Sequence, residues 1–475
     1  VLDKGNPAPD KAVLPKDIFA PTPDKAGVAK DKGAATPKCG NGIKEAGESC
    51  DAPQFGGLSC VNYGHKSGLL SCNGCKSISS SRCYTVTSGT KDLAPLVSGS
   101  AARPRVAWNT SSGGGLAAWD APYSSGTSIP DVWIQVLDKS LNPMLGSGVG
   151  ADITKTQKGI EMQPAVAPFL SDMMVVWADD RKGTTGIYAA RVSLKGVVAA
   201  KDLGGVVIAN ATGALSSPAV ACLSKNSCLV VWNDDSGSNT QIRSQVIYSD
   251  SFGDLKLVGS ISKQLSILNQ NRNYSPTIAT NGTDYMVAWT TKPQASSGTK
   301  IYARGVSGNG APAGTVEKFV GGTGNYSASS PSVAYSGSSG QYVVVWEDNR
   351  NKGYDIYGAR VDKSAVVITA DLAGVKLAWG NTVQMSPSVA CTKECLVAHA
   401  AGTSTLNMNN IQGVRVLDDG KTLSVVDSFP FTLAKGSYRA ASPDAVPDSN
   451  GNFLVVWRNQ TAAGPGSIKS LLFKP

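Results

Sequence analysis

Histidine is nearly missing from this chain, with only His65 and His399 among 475 residues. Charged residues are also sparse, at 17%, and the net charge of +9 is spread without any block of five like charges. Because a protein that tracks phosphates needs clustered Lys and Arg, nucleic-acid binding is poorly supported. No run of 18 apolar residues occurs, so the sequence predicts no membrane-spanning helix.

Recognisable catalytic motifs are missing as well. Acid–base hydrolysis needs paired carboxylates, and nucleophilic catalysis needs a base beside its nucleophile. The glutamates of the later repeats, Glu161, Glu317, Glu347 and Glu394, are isolated in the sequence, and neither histidine has an obvious partner. No phosphate-binding glycine loop, haem motif or zinc-protease motif is present. The sequence therefore favours a protein without catalytic activity. The alternative is an enzyme that uses Asp residues to cleave polysaccharides.

What the chain does have is 41% hydrophobic residues, 52 glycines and ten cysteines. This composition predicts a large, mainly β core, and the even number of cysteines favours an oxidising compartment. The sequence starts at Val1 without Met or a signal peptide, and we interpret it as the mature or trimmed form of an exported precursor.

Residues 1–38 are rich in Pro, Ala, Lys and Asp and almost free of aromatics. Such a segment cannot bury enough surface to offset the entropy of ordering. We interpret it as a tether that holds the folded part away from a membrane or wall, and a segment that orders on a partner is the alternative.

Residues 39–83 form a cysteine module that is too short for a core of its own. Its six cysteines are Cys39, Cys50, Cys60, Cys72, Cys75 and Cys83. Disulfides are favoured over zinc because no second CxxC pair accompanies Cys72-x-x-Cys75. Six cysteines allow 15 pairings, and the sequence does not choose among them.

The run from Cys39 to Asp51, C-G-N-G-x-x-E-x-G-E-x-C-D, resembles the cysteine-rich module of secreted proteins from myxobacteria and related bacteria. The resemblance implies an extracytoplasmic, often surface-attached protein and no particular chemistry. Glu45, Glu48 and Asp51 could bind calcium, which takes several carboxylate and carbonyl oxygens. The alternative is that they are solvated acids in a disulfide loop.

Seven repeats follow, over residues 84–475. Each opens with a proline and continues to an aromatic anchor and a third strand centred on an isoleucine. The opening prolines are Pro104, Pro164, Pro218, Pro276, Pro331, Pro387 and Pro443. The anchors are Trp119, Trp177, Trp232, Trp289, Trp346, His399 and Trp457. With a fourth apolar run per repeat, the pattern predicts an all-β fold, a seven-bladed β-propeller of four-stranded blades.

The V-V-W-x-D-x-R and D-I-Y-x-x-R-V runs within Val344–Val361 resemble the propeller repeats of the bacterial translocation protein TolB and related extracellular proteins. Propellers of this kind include lectins, scaffolds, lyases and glycosidases. The resemblance therefore implies a fold and leaves the activity open.

Features shared by most blades are predicted to be structural. Asp179, Asp234 and Asp348 each follow the blade Trp by two places and can accept backbone N–H bonds in the next turn. Arg181 and Arg350 can pair with these acids. The repeated Trp residues are predicted to be core wedges between blades.

Function is predicted where blades differ, in the loops that lead into the first strands. Six residues form a candidate aromatic and polar ligand-binding rim: Arg272, Tyr274, Asn325, Tyr326, Tyr438 and Arg439. Tyrosine offers an apolar face with a hydroxyl, which suits sugar rings or protein partners. The alternative is that these tyrosines seal adjacent blades.

These features favour a secreted or cell-surface binding or adhesion protein with an extracellular glycan or protein partner. A structural subunit of an extracellular assembly is a further alternative. Two structural predictions follow. Cys222–Cys228 and Cys391–Cys395 should be disulfides, since each pair flanks one strand 1–2 turn. The last repeat has no fourth strand, and Lys91–Pro104 resembles Lys201–Pro218, the fourth strand and entry loop between blades 2 and 3. Residues near Leu93–Val97 should therefore pair with Ile468–Phe473 and close the ring.

Overall fold

The computed structural model describes residues 38–475 with short gaps at 88, 98–103, 123–129, 147–149, 155–158, 224–225, 260–261, 269–270, 295–296, 352, 428, 437–438 and 461–465. Within these described residues the secondary structure is strands and three short 3-10 helices. The helices are Cys60–Tyr63, Ala200–Asp202 and Thr369–Asp371. Three strands lie within the cysteine module: Ser67–Gly68, Ser71–Asn73 and Ser77–Ser79. The first of them pairs with Cys83–Val86.

Seven antiparallel sheets, blades 1 to 7 in chain order, form a closed ring. The first strand of each blade contacts the first strands of both neighbouring blades, including blade 7 against blade 1, so the first strands surround the central axis. These first strands are Arg105–Asn109, Glu161–Phe169, Leu215–Leu223, Arg272–Thr280, Ala328–Ser336, Val383–Cys391 and Arg439–Pro447. The predicted seven-bladed propeller is confirmed.

The second and third strands complete an up-and-down meander in every blade. The second strands are Gly114–Pro122, Asp172–Asp179, Ser227–Asp234, Tyr285–Lys292, Gln341–Asp348, Cys395–Ser404 and Phe453–Gln460. The third strands are Pro130–Leu137, Gly186–Val192, Gln241–Ser249, Lys300–Val306, Asp355–Val361, Asn407–Asp418 and Gly466–Lys474.

The fourth strands are short and lie at the outer edge. In blades 1, 2, 4 and 5 they are Ala151–Asp152, Val206–Ala209, Lys318–Gly321 and Val375–Ala378. In blades 3 and 6 the fourth position is divided between two pieces, Leu255–Leu257 with Lys263–Gln264 and Leu423–Val425 with Phe431–Lys435.

The core consists of seven apolar clusters, each shared by two neighbouring blades. Each blade Trp packs toward the preceding blade. Trp177 of blade 2, for example, lies with Leu116 and Val136 of blade 1. All six anchor Trp side chains are almost fully buried. The prediction that they are core wedges is confirmed.

The repeated Asp and Arg also have the predicted structural role. In blade 2, Asp179 accepts hydrogen bonds from the Trp177 indole (3.1 Å) and the Arg181 backbone N–H (2.9 Å). The Arg181 guanidinium pairs with Asp179 and stacks 4.4 Å above the Tyr188 ring. Blade 5 repeats this arrangement with Trp346, Asp348, Arg350 and Tyr357. In blade 3, Asp234 accepts the N–H of Ser236 at 2.9 Å.

A β-bulge interrupts the first strand of blades 2 to 7 at its proline. Proline has no N–H for the ladder, and the strand pairing shifts register across it. The residue before the proline has φ between 51° and 56° in all six. These residues are Gln163, Ser217, Ser275, Ser330, Ser386 and Ser442. The bulge therefore places a polar residue at the same level of six innermost strands.

The ring closes as predicted. Lys91–Val97 pairs with the third strand of blade 7, with Ala94 opposite Ile468 and Lys91 opposite Ser470. A second piece, Cys83–Val86, pairs with the end of the same strand. Blade 7 therefore has a divided fourth strand like blades 3 and 6, but both of its pieces come from before blade 1.

All ten cysteines form disulfides. The module contains Cys39–Cys75, Cys50–Cys72 and Cys60–Cys83, which settles the pairing that the sequence left open. The predicted short bridges Cys222–Cys228 and Cys391–Cys395 are confirmed.

Arg415 of blade 6 connects the propeller to the cysteine module. Its guanidinium is fully buried, pairs with Asp427 at 2.7 Å and lies 3.7 Å from Glu394. It also donates to the carbonyl oxygens of Ser81 (3.2 Å) and Arg82 (2.9 Å). In the same way, the Arg360 guanidinium of blade 5 donates a hydrogen bond to the Lys421 carbonyl oxygen of blade 6. For Arg415 of blade 6, the end of the cysteine module therefore supplies the acceptor that a turn of blade 7 would supply.

Deleting residues 84–98 should cause a large loss of cooperative thermal unfolding. Leu93 and Ala94 are fully buried against Trp119 of blade 1 and Leu454 of blade 7, so the deletion removes both a strand and part of this core. Calorimetry would measure the change. Deletion of the tether, residues 1–38, is the control and should leave the transition in place. An unchanged transition in the 84–98 deletion would refute this mode of closure.

Replacing Arg415 with Ala should destabilise the protein by about 3–5 kcal/mol, because removing one partner leaves the others buried without their charge partner. Denaturant unfolding monitored by Trp fluorescence measures this free energy. Lys201→Ala is the matched control, since the Lys201–Asp254 pair is 51% and 37% exposed and should contribute less than about 1 kcal/mol. Equal effects of the two substitutions would contradict the role given to Arg415.

Candidate functional site

The upper face of the propeller, defined as the face where first strands begin and second strands end, carries the predicted rim. Arg272 is exposed at the start of the blade 4 first strand, and Tyr274 is half-buried two residues later. Asn325 is exposed and Tyr326 is 50% exposed in the loop that leads to blade 5. Arg439 is half-buried at the start of blade 7.

The rim residues share a face but do not form one cluster. Arg272, Tyr274, Asn325 and Tyr326 belong to blades 4 and 5, whereas Arg439 lies across the ring on blade 7. Tyr438 lies outside the described residues. The exposure of Tyr326 argues against a sealing role for that tyrosine, while Tyr274 is buried enough for burial to raise the pKa of its hydroxyl.

A cavity of about 290 Å³ opens between blades 6 and 7 on the upper face, and Arg439 lines it. Blade 7 contributes Arg439, Ser442 and Arg458 to its wall. Blade 6 contributes its bulge residue Ser386 and, from the turn between the second and third strands, Thr405. Two methionines of blade 6, Met385 and Met408, supply apolar surface.

Strand register explains why the two arginines share this cavity. Arg439 opens the first strand of blade 7, opposite Gln460, and Arg458 lies on the second strand opposite Ala441. Both residues therefore occupy the upper part of the same hairpin. On the other side of the cavity lie the second and third strands of blade 6, Cys395–Ser404 and Asn407–Asp418. They are longer than the corresponding strands of blade 7 and form a wall of the cavity.

Blade 6 is the blade that departs most from the repeat. Its anchor is His399, which is fully buried, and burial lowers the pKa of its imidazole to about 4, so it is neutral at pH 7. Ala400 follows the anchor, and Ala401 stands where blades 2, 3 and 5 have the turn-capping Asp. Ala400, a small residue on this strand, lines the cavity.

The two guanidinium groups lack a carboxylate partner in the cavity. The Nε atoms of Arg439 and Arg458 are both buried, with no hydrogen-bond partner in the described part of the chain. Arg458 donates one hydrogen bond, from Nη2 to Gln460 Oε1 at 3.2 Å. Burial, and after it the positive charge of Arg439, lowers the pKa of the Arg458 guanidinium, while Asp120 raises it. The described residues that line the cavity include no acid.

Hydroxyl groups complete the polar lining. The backbone N–H of Ser386 is already bonded to Glu347 Oε2 at 2.7 Å, and Glu347 Oε1 accepts from the hydroxyls of Ser329 and Ser330. By contrast, the hydroxyls of Ser386, Thr405 and Ser442 belong to no hydrogen bond between described residues. The cavity therefore offers two cations and three free hydroxyls.

The sequence analysis missed Arg458, although a signal was present. The residue after the aromatic anchor differs in almost every blade: Asp120, Ala178, Asn233, Thr290, Glu347, Ala400 and Arg458. Only blade 7 has a cation there. The sequence alone does not show that this residue lies beside Arg439.

The upper face has a second group of ionisable residues, which are far apart in the sequence and close together in the fold. Glu161, isolated in the sequence, is fully buried near Asp131 and Asp152 of blade 1. Asp131 lies within hydrogen-bond reach of Glu161, and such a pair needs a proton on one carboxyl group. Ring packing of blades 1 and 2 creates this proximity, which sequence spacing could not show.

Burial, followed by the charges of Asp179 and Asp131, raises the pKa of the Glu161 carboxyl to about 8, and Arg181 opposes this rise. Burial and the charge of Asp152 raise the pKa of Asp131 to about 6. Apart from Asp131, no described residue lies within hydrogen-bond reach of either Glu161 oxygen. The pair therefore holds a proton near neutral pH.

In the cysteine module, the predicted calcium ligands have partners within the loop. Glu45 accepts bonds from the Lys38 N–H (2.6 Å) and the Asn41 side chain (3.2 Å). Asp51 Oδ2 accepts the N–H groups of Gly40 and Asn41 at 3.0 and 3.1 Å. Glu48 and Asp51 lie close to each other and to the sulfur of Cys75, which is in a disulfide. Calcium binding stays a prediction.

No helix in the described parts of the chain is both long and apolar enough to cross a membrane. No protein-family profile matches the sequence, and no curated protein matches it.

Solved structures resemble the fold only distantly. A protein of unknown function from Dyadobacter fermentans has 13% identity and a TM-score of 0.44, over 67% of this chain and 95% of that one. A puromycin hydrolase has 13% identity and a TM-score of 0.48, over 81% and 55% of the two chains. A Trypanosoma rangeli sialidase has 9% identity and a TM-score of 0.40, over 82% and 58%. At these levels, the similarities carry no argument about activity.

Glu161→Gln should raise the melting temperature at pH 8 and leave it nearly unchanged at pH 5. A raised carboxyl pKa means that the folded state keeps a proton that the unfolded chain releases, so stability falls as pH rises from about 4.5 to about 8. Glutamine removes this dependence. Scanning calorimetry across this range measures it.

Glu317→Gln is the matched control, because Glu317 is also buried but accepts the N–H groups of Ile267 (2.9 Å) and Leu268 (3.1 Å). That variant should lose stability, since glutamine turns one acceptor into a donor facing a donor. A loss of stability at pH 8 in Glu161→Gln as well would contradict the proton-holding pair.

Proposed function

We propose that this protein is an extracellular binding protein that captures a glycan or protein partner on the upper face of its propeller. The observation that carries the proposal is the cavity between blades 6 and 7, which forms where two blades differ from the rest and contains two guanidinium groups that form no ion pair with a described residue. Repeated polar residues such as Asp179 and Arg181 are used within their blades, so they are not available to a ligand.

The disulfides support the extracellular part of the proposal. Five bridges persist only in an oxidising compartment, and the cysteine module is docked on the propeller through buried Arg415. If the predicted tether at residues 1–38 attaches the chain to a surface, the module would lie between that surface and the ring.

Catalysis is the second candidate, because polysaccharide cleavage uses two carboxyl groups and Glu161 and Asp131 lie together on the upper face. Their hydrogen-bond contact is closer than the roughly 5 Å or more that separates the two carboxyl groups of glycosidases. Burial also argues against catalysis. A general acid must reach the atom that it protonates, whereas Glu161 is 0% exposed and pairs with Asp131. The arginine cavity faces solvent and meets the requirements for binding without any reaction. Release of reducing ends or unsaturated sugars, abolished by Glu161→Gln, would establish the enzyme instead.

Alanine replacement of Tyr326 and Tyr274 should weaken capture of a ligand found by a glycan array or pull-down with the full chain. A central aromatic contact contributes about 2 kcal/mol or more, which is roughly a 30-fold change in Kd. Tyr326→Ala should keep the wild-type melting temperature because its side chain is half exposed. Surface plasmon resonance on the identified ligand measures the change.

Phe252→Ala is the matched control, since Phe252 is an aromatic residue with 80% exposure in a turn on the opposite face. This variant should bind as the wild type does. If it weakened binding while the tyrosine variants did not, the ligand would bind the lower face and the proposal would be wrong.

A further inference from the structure

We propose that the cavity between blades 6 and 7 binds the acidic group of an anionic sugar, a carboxylate or sulfate held between Arg439 and Arg458. This inference rests on the proposed function and specifies the class of ligand. Arg439, which belongs to the predicted rim, and Arg458, which does not, select the ligand.

The electrostatics of the two neighbouring arginines favour an anionic ligand. Two guanidinium groups close enough for one to lower the pKa of the other repel each other, and burial increases this cost. Elsewhere in the propeller, buried arginines have partners. Carboxylates pair with Arg191 (Asp202), Arg360 (Asp371) and Arg415 (Asp427). Arg304 instead donates to three backbone carbonyl oxygens. Arg439 has no ion pair or hydrogen bond to a described residue. An anion between the two guanidiniums would supply the missing charge and accept their forked N–H donors.

The other residues that line the cavity suit the remaining parts of a sugar acid. Ser386, Thr405 and Ser442 offer hydroxyls that can donate to or accept from ligand hydroxyl groups. Met385 and Met408 provide an adaptable apolar surface for the C–H groups of a ring. A sugar acid has all three features in one small unit, namely an anionic group, several hydroxyls and an apolar ring surface.

The size and shape of the cavity also bear on the ligand. About 290 Å³ lies at the lower limit of ligand pockets, which are roughly 300–1,000 Å³. A single sugar unit or a chain end fits a compact cavity of this kind. Arginine clusters also bind acidic or phosphorylated peptides, but the backbone of such a peptide would have to be placed beside the anionic group. Here the second strand covers one edge of the blade 7 first strand, and the other edge faces the first strands of blades 6 and 1.

Isothermal titration calorimetry on the full chain would test this with three matched probes. They are an oligosaccharide of galacturonate, a galactose oligosaccharide sulfated at C6, and the neutral galactose oligosaccharide of equal length. We expect at least one acidic probe to bind about tenfold or more tightly than the neutral probe, with affinity that falls as salt is raised. Which acid binds shows whether carboxylate or sulfate is preferred, and either result supports the proposal.

Arg439→Gln and Arg458→Gln should each weaken the acidic probe about tenfold or more. Their melting temperatures without ligand should be unchanged or higher, since each substitution removes a repulsion. The acidic probe should raise the melting temperature of the wild type and of neither variant. Arg82→Gln is the control and should bind the acidic probe as the wild type does, because Arg82 is an exposed arginine outside both the rim and the cavity.

Three results would overturn the proposal. The first is equal binding of acidic and neutral probes, or no binding of either acid. The second is unchanged affinity in both arginine variants. The third is capture of an acidic or phosphorylated peptide that depends on Arg439 and Arg458 without binding of either acidic sugar. If a ligand is still captured through Tyr274 and Tyr326 in these cases, the binding function survives and only the anionic-sugar assignment fails.

Discussion

Closure of the ring is the constraint on which the rest of this structure depends. Each Trp anchor is buried against the preceding blade, so these blades have no complete core alone. Blade 7 lacks a fourth strand of its own and receives Lys91–Val97 and Cys83–Val86 from before blade 1. On the axis, Asp444 of blade 7 accepts the Val106 N–H of blade 1 at 2.9 Å. Radial closure also protects the strand edges that an open sheet would expose.

The same closure explains where a site can form. Side chains repeated in several blades, such as the Trp-Asp-Arg-Tyr groups of blades 2 and 5, are used to fix turns and pack blades together. Blade 6 lacks this group, and its small residues leave room beside blade 7. The arginine side chains and hydroxyl groups that line the resulting cavity are not needed by the fold, so they are available to a ligand.

The cysteine module has a structural part in this arrangement. Its last residues, Ser81–Val86, supply both a strand to blade 7 and carbonyl acceptors to Arg415 of blade 6. The stacked rings of Tyr84 and Phe431 add an apolar contact at the same junction, with centroids 4.5 Å apart. The module therefore completes the propeller edge instead of hanging from it.

The sequence predicted the repeat architecture well, because hydrophobic periodicity and recurring Pro and Trp positions are local signals. The third strand of blade 5, Asp355–Val361, has the bounds that the residue pattern indicates. The two short disulfides followed from spacing. The ring-closing strand followed from the missing fourth strand of the last repeat and from the similarity of Lys91–Pro104 to Lys201–Pro218.

The candidate site was only partly predictable. Arg439 was identified from a distinctive loop, but the significance of Arg458 depends on its distance from Arg439 and on the small residues of the neighbouring blade. Glu161 and Asp131 come together only through packing of two blades. Contacts across blades depend on three-dimensional register, which one sequence does not contain.

The central claim is that the upper face binds an acidic ligand at the blade 6–7 cavity. A crystal structure of the protein with oligogalacturonate or its sulfated counterpart would test it most directly. The account predicts a carboxylate or sulfate between Arg439 and Arg458, with N–H···O distances of about 2.7–2.9 Å to both guanidiniums. A ligand bound beside Glu161 and Asp131, or on the lower face, with the arginine cavity empty, would contradict it.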